Sequence, residues 1–315
     1  MGYSSSFFTC FLLLALLFVA DGQPLVPAFF IFGDSVVDVG NNNDLYTIVK
    51  ANFPPYGRDF KNHMPTGRFC NGKLASDFTA ENLGFTSYPP AYLNLKSKGR
   101  NLLNGANFAS AASGYYESTA KLYHAIPLSQ QLEHYRDCQN TLVEVAGQAN
   151  ASSIISGAIN LISAGNSDFI QNYYINPLLY KVYTADQFSD ILIQCYCNFI
   201  KACLSQPCLV ASSPKLNATS QSLQKMLPGL NLVLLDIYQP FYELVTKPSA
   251  NGFFEARKAC CGTGLLETSI LCNHKSIGTC ANASEYVFWD GFHPSEAANK
   301  VLADKLLTAG ISLIS

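Results

Sequence analysis

Short, mainly apolar runs alternate along the chain with longer stretches of helical spacing. The runs at residues 28–32, 158–164 and 230–237 read AFFIF, AINLISA and LNLVLLDI, and a shorter candidate spans 105–109. Because a strand covered on both faces has no polar side, such runs predict the buried strands of a parallel sheet.

Helical spacing is found in the segments 73–83, 127–145, 184–204 and 295–307. The segment 184–204 is the clearest, because its apolar residues fall on one face and Thr184 and Gln187 have the spacing of a capping box. Strands that alternate with helices predict an α/β fold, a parallel sheet covered on both faces. In such sheets ligands bind beyond the carboxyl ends of the strands.

Polar residues follow the first predicted strand in the stretch FGDSVVDVGNNN, residues 32–43. Ser35 is a candidate nucleophile there, because it would stand at the rim of the sheet. A serine needs a base, an orienting acid and oxyanion donors to act as one. Asp38 and the asparagines would form the polar scaffold of the loop. The alternative is an ordinary surface turn, which the same residue types favour.

A candidate base and acid stand near the C-terminus, in FWDGFHPSEAANKVL. Asp290 and His293 are three residues apart, which would let the carboxylate touch imidazole Nδ1 and leave Nε2 facing a serine. The alternative is a helix-capping aspartate beside a surface histidine.

Two further polar segments follow predicted strands and are candidates for an oxyanion hole. NFASAASG ends in Gly114, where a backbone N–H can approach a ligand closely, and SAGNSDF spans residues 163–169. Taken singly, each of them is more typical of an ordinary turn.

Together, and in this order, the segments resemble those of the plant GDSL esterase/lipase family, a branch of the SGNH hydrolases. FGDSVVDVGNNN is similar to the family's first block, NFASAASG to its second and DGFHPS to its last. The resemblance implies that Ser35 is the nucleophile, Asp290 and His293 the acid and base, and Ser35 and Gly114 backbone donors to the oxyanion. It also implies a three-layer α/β/α fold, no metal, no other cofactor, and hydrolysis of acyl esters of small molecules or lipids.

The chain departs from the family pattern in the third block, which usually reads Gly-x-Asn-Asp. Here Ser167 stands where the family has the asparagine that donates to the oxyanion, and Asn166 precedes it. Loss of one such donor costs about 2.7–4 kcal/mol of transition-state stabilisation. Asn166 and Ser167 are therefore both candidates for this role.

A second departure is an internal shortening around residues 200–216, where relatives have a buried strand and a long loop. We expect one central strand to be missing between the strands at 158–164 and 230–237. A missing strand would displace the loop that carries Asp290 and His293 relative to Ser35, and a displacement of about 1 Å can cost roughly 10²-fold in rate. An alternative function is therefore open. The chain would then be a catalytically impaired or inactive family member that acts, if at all, as a secreted glycoprotein.

The N-terminus carries a run of fourteen residues at 7–20 that is apolar except for Thr9, whereas a bilayer-spanning helix needs roughly 20. With small residues ahead of Gln23, the run predicts a signal peptide at 1–22 and a single hydrolase domain at 23–315. An uncleaved anchor is the alternative. We expect a protein secreted to the apoplast or cell wall, with no stable membrane span.

The chain has 11 cysteines, and only Cys10 lies in the predicted signal peptide, so an even number remains after cleavage. An even number is expected if the cysteines pair as disulfides in an oxidising compartment. Cys272 and Cys280 could close a loop ahead of the Asp290 segment, and the sequence leaves the disulfide pairing open. Four other cysteines lack the paired spacing of a metal site and are expected to be disulfide-bonded or free. They are Cys195, Cys197, Cys203 and Cys208.

The net charge and the sequons bear on nucleic-acid binding and on glycosylation. A net charge of -2 gives no electrostatic reason to bind nucleic acid. Asn150, Asn217 and Asn282 head N-x-S/T sequons and are candidate glycosylation sites in a secreted protein.

Overall fold

A computed structural model describes the fold of most of the chain. It covers residues 23–95, 99–203, 208–212, 214–227, 230–262, 272–276 and 278–310. The predicted signal peptide, residues 1–22, lies outside this part. Within the described ranges, no helix is both long and apolar enough to cross a membrane.

The centre of the fold is a parallel sheet of four strands in the order β1-β2-β3-β4. The strands are β1 (Phe29–Gly33), β2 (Ile159–Ser163), β3 (Cys208–Ser212) and β4 (Leu232–Asp236). Three of them lie where apolar runs predicted strands. The predicted strand at 105–109 runs parallel to β1, bridged between Ile31 and Asn107, and four backbone hydrogen bonds join this segment and its flanking residues to β1, although it is not a regular strand of the sheet.

Helices connect and cover the strands. They are α1 (Ala75–Asn82), α2 (Glu117–Leu122), α3 (Leu128–Ala146), α4 (Gln148–Gly157), α5 (Pro177–Tyr180), α6 (Ala185–Ala202), α7 (Pro214–Met226), α8 (Tyr238–Thr246) and α9 (Glu296–Gly310). Short 3₁₀ turns occur at Lys61–His63, Tyr92–Leu95, Gly99–Leu102, Pro248–Asn251 and Ala283–Glu285, and a π-helical turn at Asp168–Tyr173. The four predicted helices correspond to α1, α3, α6 and α9. The capping box of α6 is formed, since Thr184 and Gln187 each accept the other's backbone N–H.

The two faces of the sheet are both buried. Phe30 and Phe32 of β1 pack on one face with side chains of α3 and α6. Phe29 and Ile31 point to the opposite face and pack with side chains of α1 and α9. Successive residues of a strand point to opposite faces, so the unbroken apolar run of β1 is explained by helices on both sides. The α/β class with three layers is confirmed.

The place expected to lack a strand is filled. β3 lies between β2 and β4 and pairs with both, Leu209 standing opposite Leu161 on one side and Val233 on the other. An unfilled gap would leave the backbone N–H and C=O groups of β2 and β4 without partners, which is costly in a buried sheet. The short run CLVAS in the shortened region supplies those partners, so the expectation of a missing central strand is wrong.

A small second sheet and two disulfides support the C-terminal segment. β5 (Glu255–Ala259) and β6 (Tyr286–Phe288) are parallel. The disulfides join Cys260 to Cys280 and Cys261 to Cys272. Cys272 and Cys280 therefore do not close a loop with each other, because the adjacent cysteines at 260 and 261 each bond to one of them. Cys195, Cys197 and Cys203 are free thiols.

A buried ion pair between Arg68 and Asp77 anchors the start of α1. Both guanidinium contacts are short, with Nε–Oδ2 at 2.8 Å and Nη2–Oδ1 at 2.7 Å, and Asp77 also accepts the Leu74 N–H. We expect Arg68→Met to lower the free energy of unfolding by about 3–5 kcal/mol, because it leaves a buried carboxylate without its counter-ion. Urea unfolding followed by circular dichroism measures this. The double variant Arg68→Met/Asp77→Asn, which also removes the stranded charge, should regain part of the loss; equal losses in both variants would contradict the explanation.

Candidate active site

The loop that carries Ser35 is fixed directly beyond the carboxyl end of β1. Gly33 has φ of 142°, and a Cβ there would collide with the Ser163 carbonyl of β2, so only glycine fits. The Gln131 side chain accepts the Gly33 N–H and donates to the Gly33 carbonyl, at 3.0 and 2.9 Å. The Asp34 N–H donates to the Ser163 carbonyl at 3.0 Å. Ser35 is thus held at the sheet rim with only 6% of its surface exposed.

The asparagine-rich stretch after Ser35 is a buried scaffold, as the sequence indicated. Asp38 Oδ1 accepts the N–H groups of Gly40 and Asn41, and its Oδ2 accepts that of Ala111 at 2.9 Å. The Asn41 amide donates to the Asn107 carbonyl at 2.9 Å. Burial raises the pKa of Asp38 to about 6, opposed by these three backbone donors. The scaffold ties the Ser35 loop to the segment that ends in Gly114.

Ser35, His293 and Asp290 are in contact. Ser35 Oγ lies 2.7 Å from His293 Nε2, and His293 Nδ1 lies 2.8 Å from each oxygen of Asp290. A carboxylate can only accept, so Nδ1 carries the proton, and Nε2 is left to accept from the serine hydroxyl. His293 and Asp290 are buried. The alternative of a capping aspartate beside a surface histidine is wrong, because Ser295, not Asp290, accepts the N–H groups at the start of α9.

The local turn holds Asp290 firmly. Its Oδ1 accepts the N–H groups of Phe292 and His293 at 2.9 and 2.8 Å, and its Oδ2 accepts the Tyr56 hydroxyl at 2.7 Å. Burial and the neighbouring charge of Asp290 raise the pKa of Tyr56 well above its ordinary value, so the phenol stays protonated and donates. Phe69 packs on the His293 ring with centroids 5.0 Å apart. Tyr56 gave no signal in the sequence, because its partner lies 234 residues away.

Gly114 belongs to a turn held by a buried carboxylate, Asp168. The N–H groups of Tyr115 and Tyr116 donate to Asp168 at 2.7 and 3.2 Å, and the Thr119 hydroxyl donates at 2.6 Å. Burial raises the pKa of Asp168 to about 6, opposed first by the Thr119 hydrogen bond. A Cβ on Gly114 would collide with this carboxylate. Asp168 was not singled out from the sequence, although it follows Asn166 and Ser167 directly.

Donors suited to an oxyanion are left unused around this turn. The N–H groups of Ser35 and Gly114 make no hydrogen bond within the described part of the chain. Ser167 is buried at the start of the π-helical turn, and its hydroxyl is likewise unpaired among the described residues. Asn166 is exposed and lines an apolar cavity together with Ser163. Both candidates for the side-chain donor therefore remain available.

Asp34 is a buried acid that no sequence pattern singled out. Its Oδ1 accepts the Val36 N–H at 3.2 Å, whereas its Oδ2 is buried without a described partner. Burial raises the pKa of Asp34 from 3.8 to about 7, opposed first by the Val36 hydrogen bond. The group therefore binds its proton more tightly in the folded protein than in the unfolded chain.

This shift predicts a pH-dependent stability. Between about pH 4 and pH 7 the unfolded chain has released the Asp34 proton and the folded protein has not, so stability falls as pH rises. Asp34→Asn removes this contribution, which amounts to at most about 1.4 kcal/mol per pH unit. We expect the variant to match the wild type near pH 4 and to be more stable at pH 7.5. Urea unfolding at four pH values checks this, with the surface change Asp304→Asn as control; an unchanged slope would refute it.

The three candidate glycosylation sites are all exposed. Asn150 lies on α4 and Asn217 on α7, while Asn282 precedes a 3₁₀ turn and accepts the Ser284 N–H. Among the described residues, no group of three or more His, Cys, Asp or Glu side chains is placed to hold a metal ion.

Comparison with known proteins identifies the family. The family model described as GDSL-like Lipase/Acylhydrolase matches residues 29–306. The GDSL esterase/lipase At5g22810 of Arabidopsis thaliana is 63% identical over 335 aligned positions, which cover 94% of this chain and 92% of that protein. The GDSL esterase/lipase APG of the same plant is 54% identical, with 92% of each chain covered.

The alignment with At5g22810 has more positions than this chain has residues, so that relative contains residues that this chain lacks. That the missing residues fall around 200–216 stays a prediction. The chain belongs to the GDSL-like lipase/acylhydrolase family of ester hydrolases.

Proposed function

We propose that this protein hydrolyses acyl esters through a Ser35–His293–Asp290 triad and an acyl-enzyme. The observation that carries the proposal is the unbroken line of contacts from Ser35 Oγ to His293 Nε2 at 2.7 Å and from His293 Nδ1 to Asp290 at 2.8 Å. This is the arrangement in which imidazole removes the serine proton while a carboxylate holds the ring.

In the acylation step, Ser35 Oγ attacks the ester carbonyl carbon and its proton passes to His293 Nε2. The carbonyl oxygen becomes an oxyanion, which the Ser35 and Gly114 N–H groups and one of Asn166 or Ser167 would bind. When the tetrahedral intermediate collapses, His293 gives the proton to the departing alcohol oxygen. The acyl group is left on Ser35 as an ester.

Deacylation repeats these steps with water. His293 Nε2 takes a proton from a water molecule, whose oxygen attacks the acyl carbon. The proton then returns to Ser35 Oγ, and the carboxylic acid leaves. Asp290 keeps Nδ1 protonated and stabilises the imidazolium, while Tyr56 and two backbone N–H groups keep Asp290 in place.

The geometry favours this function over an inactive glycoprotein. The reason to doubt catalysis was a gap in the sheet that would displace His293 from Ser35. β3 occupies that place and is paired on both sides. No step of the proposed mechanism uses a metal or cofactor.

We further propose that the protein is secreted and glycosylated. The apolar run at 7–20 supports a signal peptide. The disulfides Cys260–Cys280 and Cys261–Cys272 support folding in an oxidising compartment. The exposure of Asn150, Asn217 and Asn282 supports their modification. Expression in plant cells, with the N-terminus and glycans of the protein from the medium read by mass spectrometry, tests this; an intact N-terminus or cell-retained protein would contradict it.

The catalytic proposal is tested with the purified protein and two reagents. We expect turnover of p-nitrophenyl butyrate. We also expect a fluorophosphonate to label one serine, identified by peptide mass spectrometry as Ser35, because the activated Oγ displaces fluoride from phosphorus. A folded protein that is labelled elsewhere, or that hydrolyses the ester no faster than its Ser35→Ala variant, would overturn the proposal.

A further inference from the structure

An apolar cavity of about 530 Å³ lies between the sheet and helices α1, α8 and α9. Its walls include Leu161 of β2, Leu235 of β4, Phe241 of α8 and Leu302 of α9. None of the described residues that line it carries a charge. An ionised ligand group would find no counter-ion inside, so the cavity suits a hydrocarbon chain.

One end of the cavity lies beside the reacting groups. Val36, which follows Ser35 in the chain, lines it, and so do Phe292 and Pro294 on either side of His293. This end of the cavity is thus formed by the chain neighbours of Ser35 and His293, together with the oxyanion candidate Asn166. This continuity with the site indicates the occupant: the acyl chain of the ester whose carbonyl Ser35 attacks.

The strand and helices that line the cavity give its length. Ile159, Leu161 and Ser163 all line it and share one face of β2, with Ser163 at the catalytic end. Four residue steps along a strand span about 13 Å. On α1 the lining residues run from Ala75 to Leu83, which is about 12 Å at 1.5 Å per residue.

This length sets a capacity. An extended chain advances about 1.2 Å per bond, since three backbone bonds span about 3.3–3.6 Å. A depth of about 13 Å thus holds roughly eleven bonds. We infer that this cavity binds the acyl chain of the substrate and that the enzyme is selective for acyl groups of about ten to twelve carbons. The inference rests on the proposed function, because the cavity matters for hydrolysis only if Ser35 is the nucleophile.

The test is a series of p-nitrophenyl esters from acetate to tetradecanoate, below their aggregation limits. Burial of one methylene is expected to raise kcat/KM about threefold to fourfold, so octanoate should exceed butyrate roughly 100-fold. The rise should stop near twelve carbons.

A blocking variant and a matched control locate the effect. Thr79 is half-buried in the middle of α1 and lines the cavity, and its hydroxyl donates to the Ala75 carbonyl. Thr79→Phe should lower the decanoate-to-butyrate ratio of kcat/KM by roughly 30-fold. Thr141 on α3 is also half-buried and makes the same bond, to Asp137, but α3 covers the opposite face of the sheet. Thr141→Phe should leave the ratio within about twofold of wild type, because Thr141 does not line the cavity.

Binding of decanoate, measured by calorimetry on the Ser35→Ala protein, separates this inference from the proposed function. Weaker decanoate binding once Thr79→Phe is added supports the cavity, and if the wild-type protein also fails to hydrolyse the esters, the same result refutes the proposed function alone. Ser35-dependent hydrolysis without chain-length preference, together with no decanoate binding, refutes the cavity alone. Decanoate binding that appears only when the chain is truncated after Gly310 also refutes it, because residues 311–315 would then be the occupant.

Discussion

Alanine at position 35 is expected to lower kcat/KM for p-nitrophenyl butyrate by roughly 10⁵- to 10⁶-fold. Ser35 Oγ is the only atom of the site that would bond to the substrate carbon, and it lies 2.7 Å from His293 Nε2. Without it, neither the base nor its aspartate has a group to activate. A residual rate above water should persist, because the unpaired N–H groups of residue 35 and Gly114 are unchanged by the substitution.

Two measurements make this expectation decisive. Steady-state hydrolysis gives kcat/KM, and mass spectrometry after a short reaction detects the acyl-enzyme, which the variant cannot form. Ser156 on α4 is exposed, and Ser156→Ala should leave both readings unchanged. A loss of less than about 100-fold in a folded Ser35→Ala protein would assign the nucleophile elsewhere.

The sheet shows what local pattern can and cannot predict. β1, β2 and β4 are apolar on both faces, so an unbroken run in the sequence reveals each of them. β3 is just as buried at Val210, but its run CLVAS stands in the segment where the family comparison indicated a deletion. Its place depends on pairing with Leu161 and Val233, a tertiary context that no local window contains.

In the candidate site, too, contacts between residues close in sequence could be predicted, whereas contacts between distant residues could not be predicted from either segment alone. The contact between Asp290 and His293 follows from a spacing of three residues and was expected. The contact of His293 with Ser35 spans 258 residues and was suggested by the order of the family blocks, not by either segment alone. Tyr56 acts over a long separation through one hydrogen bond and Asp168 through three, and such contacts leave no periodicity to detect.

The pairing of the cysteines could not be predicted from the sequence, for a related reason. Sequence proximity favoured Cys272 with Cys280, eight positions apart. The adjacent Cys260 and Cys261 follow β5, where consecutive side chains point to opposite sides, and each reaches a different partner. The pairing is decided by the backbone geometry at the end of a strand, which the spacing of cysteines does not encode.

Asparagine at position 290 is expected to lower kcat by roughly 10⁴-fold while leaving the fold intact. Asp290 Oδ1 accepts the N–H groups of Phe292 and His293, and an asparagine oxygen would keep both bonds. The amide nitrogen would then replace Oδ2, which now faces the Tyr56 hydroxyl and His293 Nδ1.

An amide nitrogen donates where a carboxylate oxygen accepts, so the substitution reverses the polarity of one of the two contacts of Nδ1 and leaves the other to an oxygen that already accepts two N–H groups. The imidazole would place its proton on Nε2, and the Ser35 hydroxyl would lose its acceptor. Fluorophosphonate labelling should slow in parallel with ester hydrolysis, because both need an activated Ser35. Asp137→Asn on the exposed side of α3 is the matched control and should change neither rate. A fall of less than about tenfold for Asp290→Asn would show that ring orientation by Asp290 is dispensable, and that packing by Phe69 suffices to hold His293 in place.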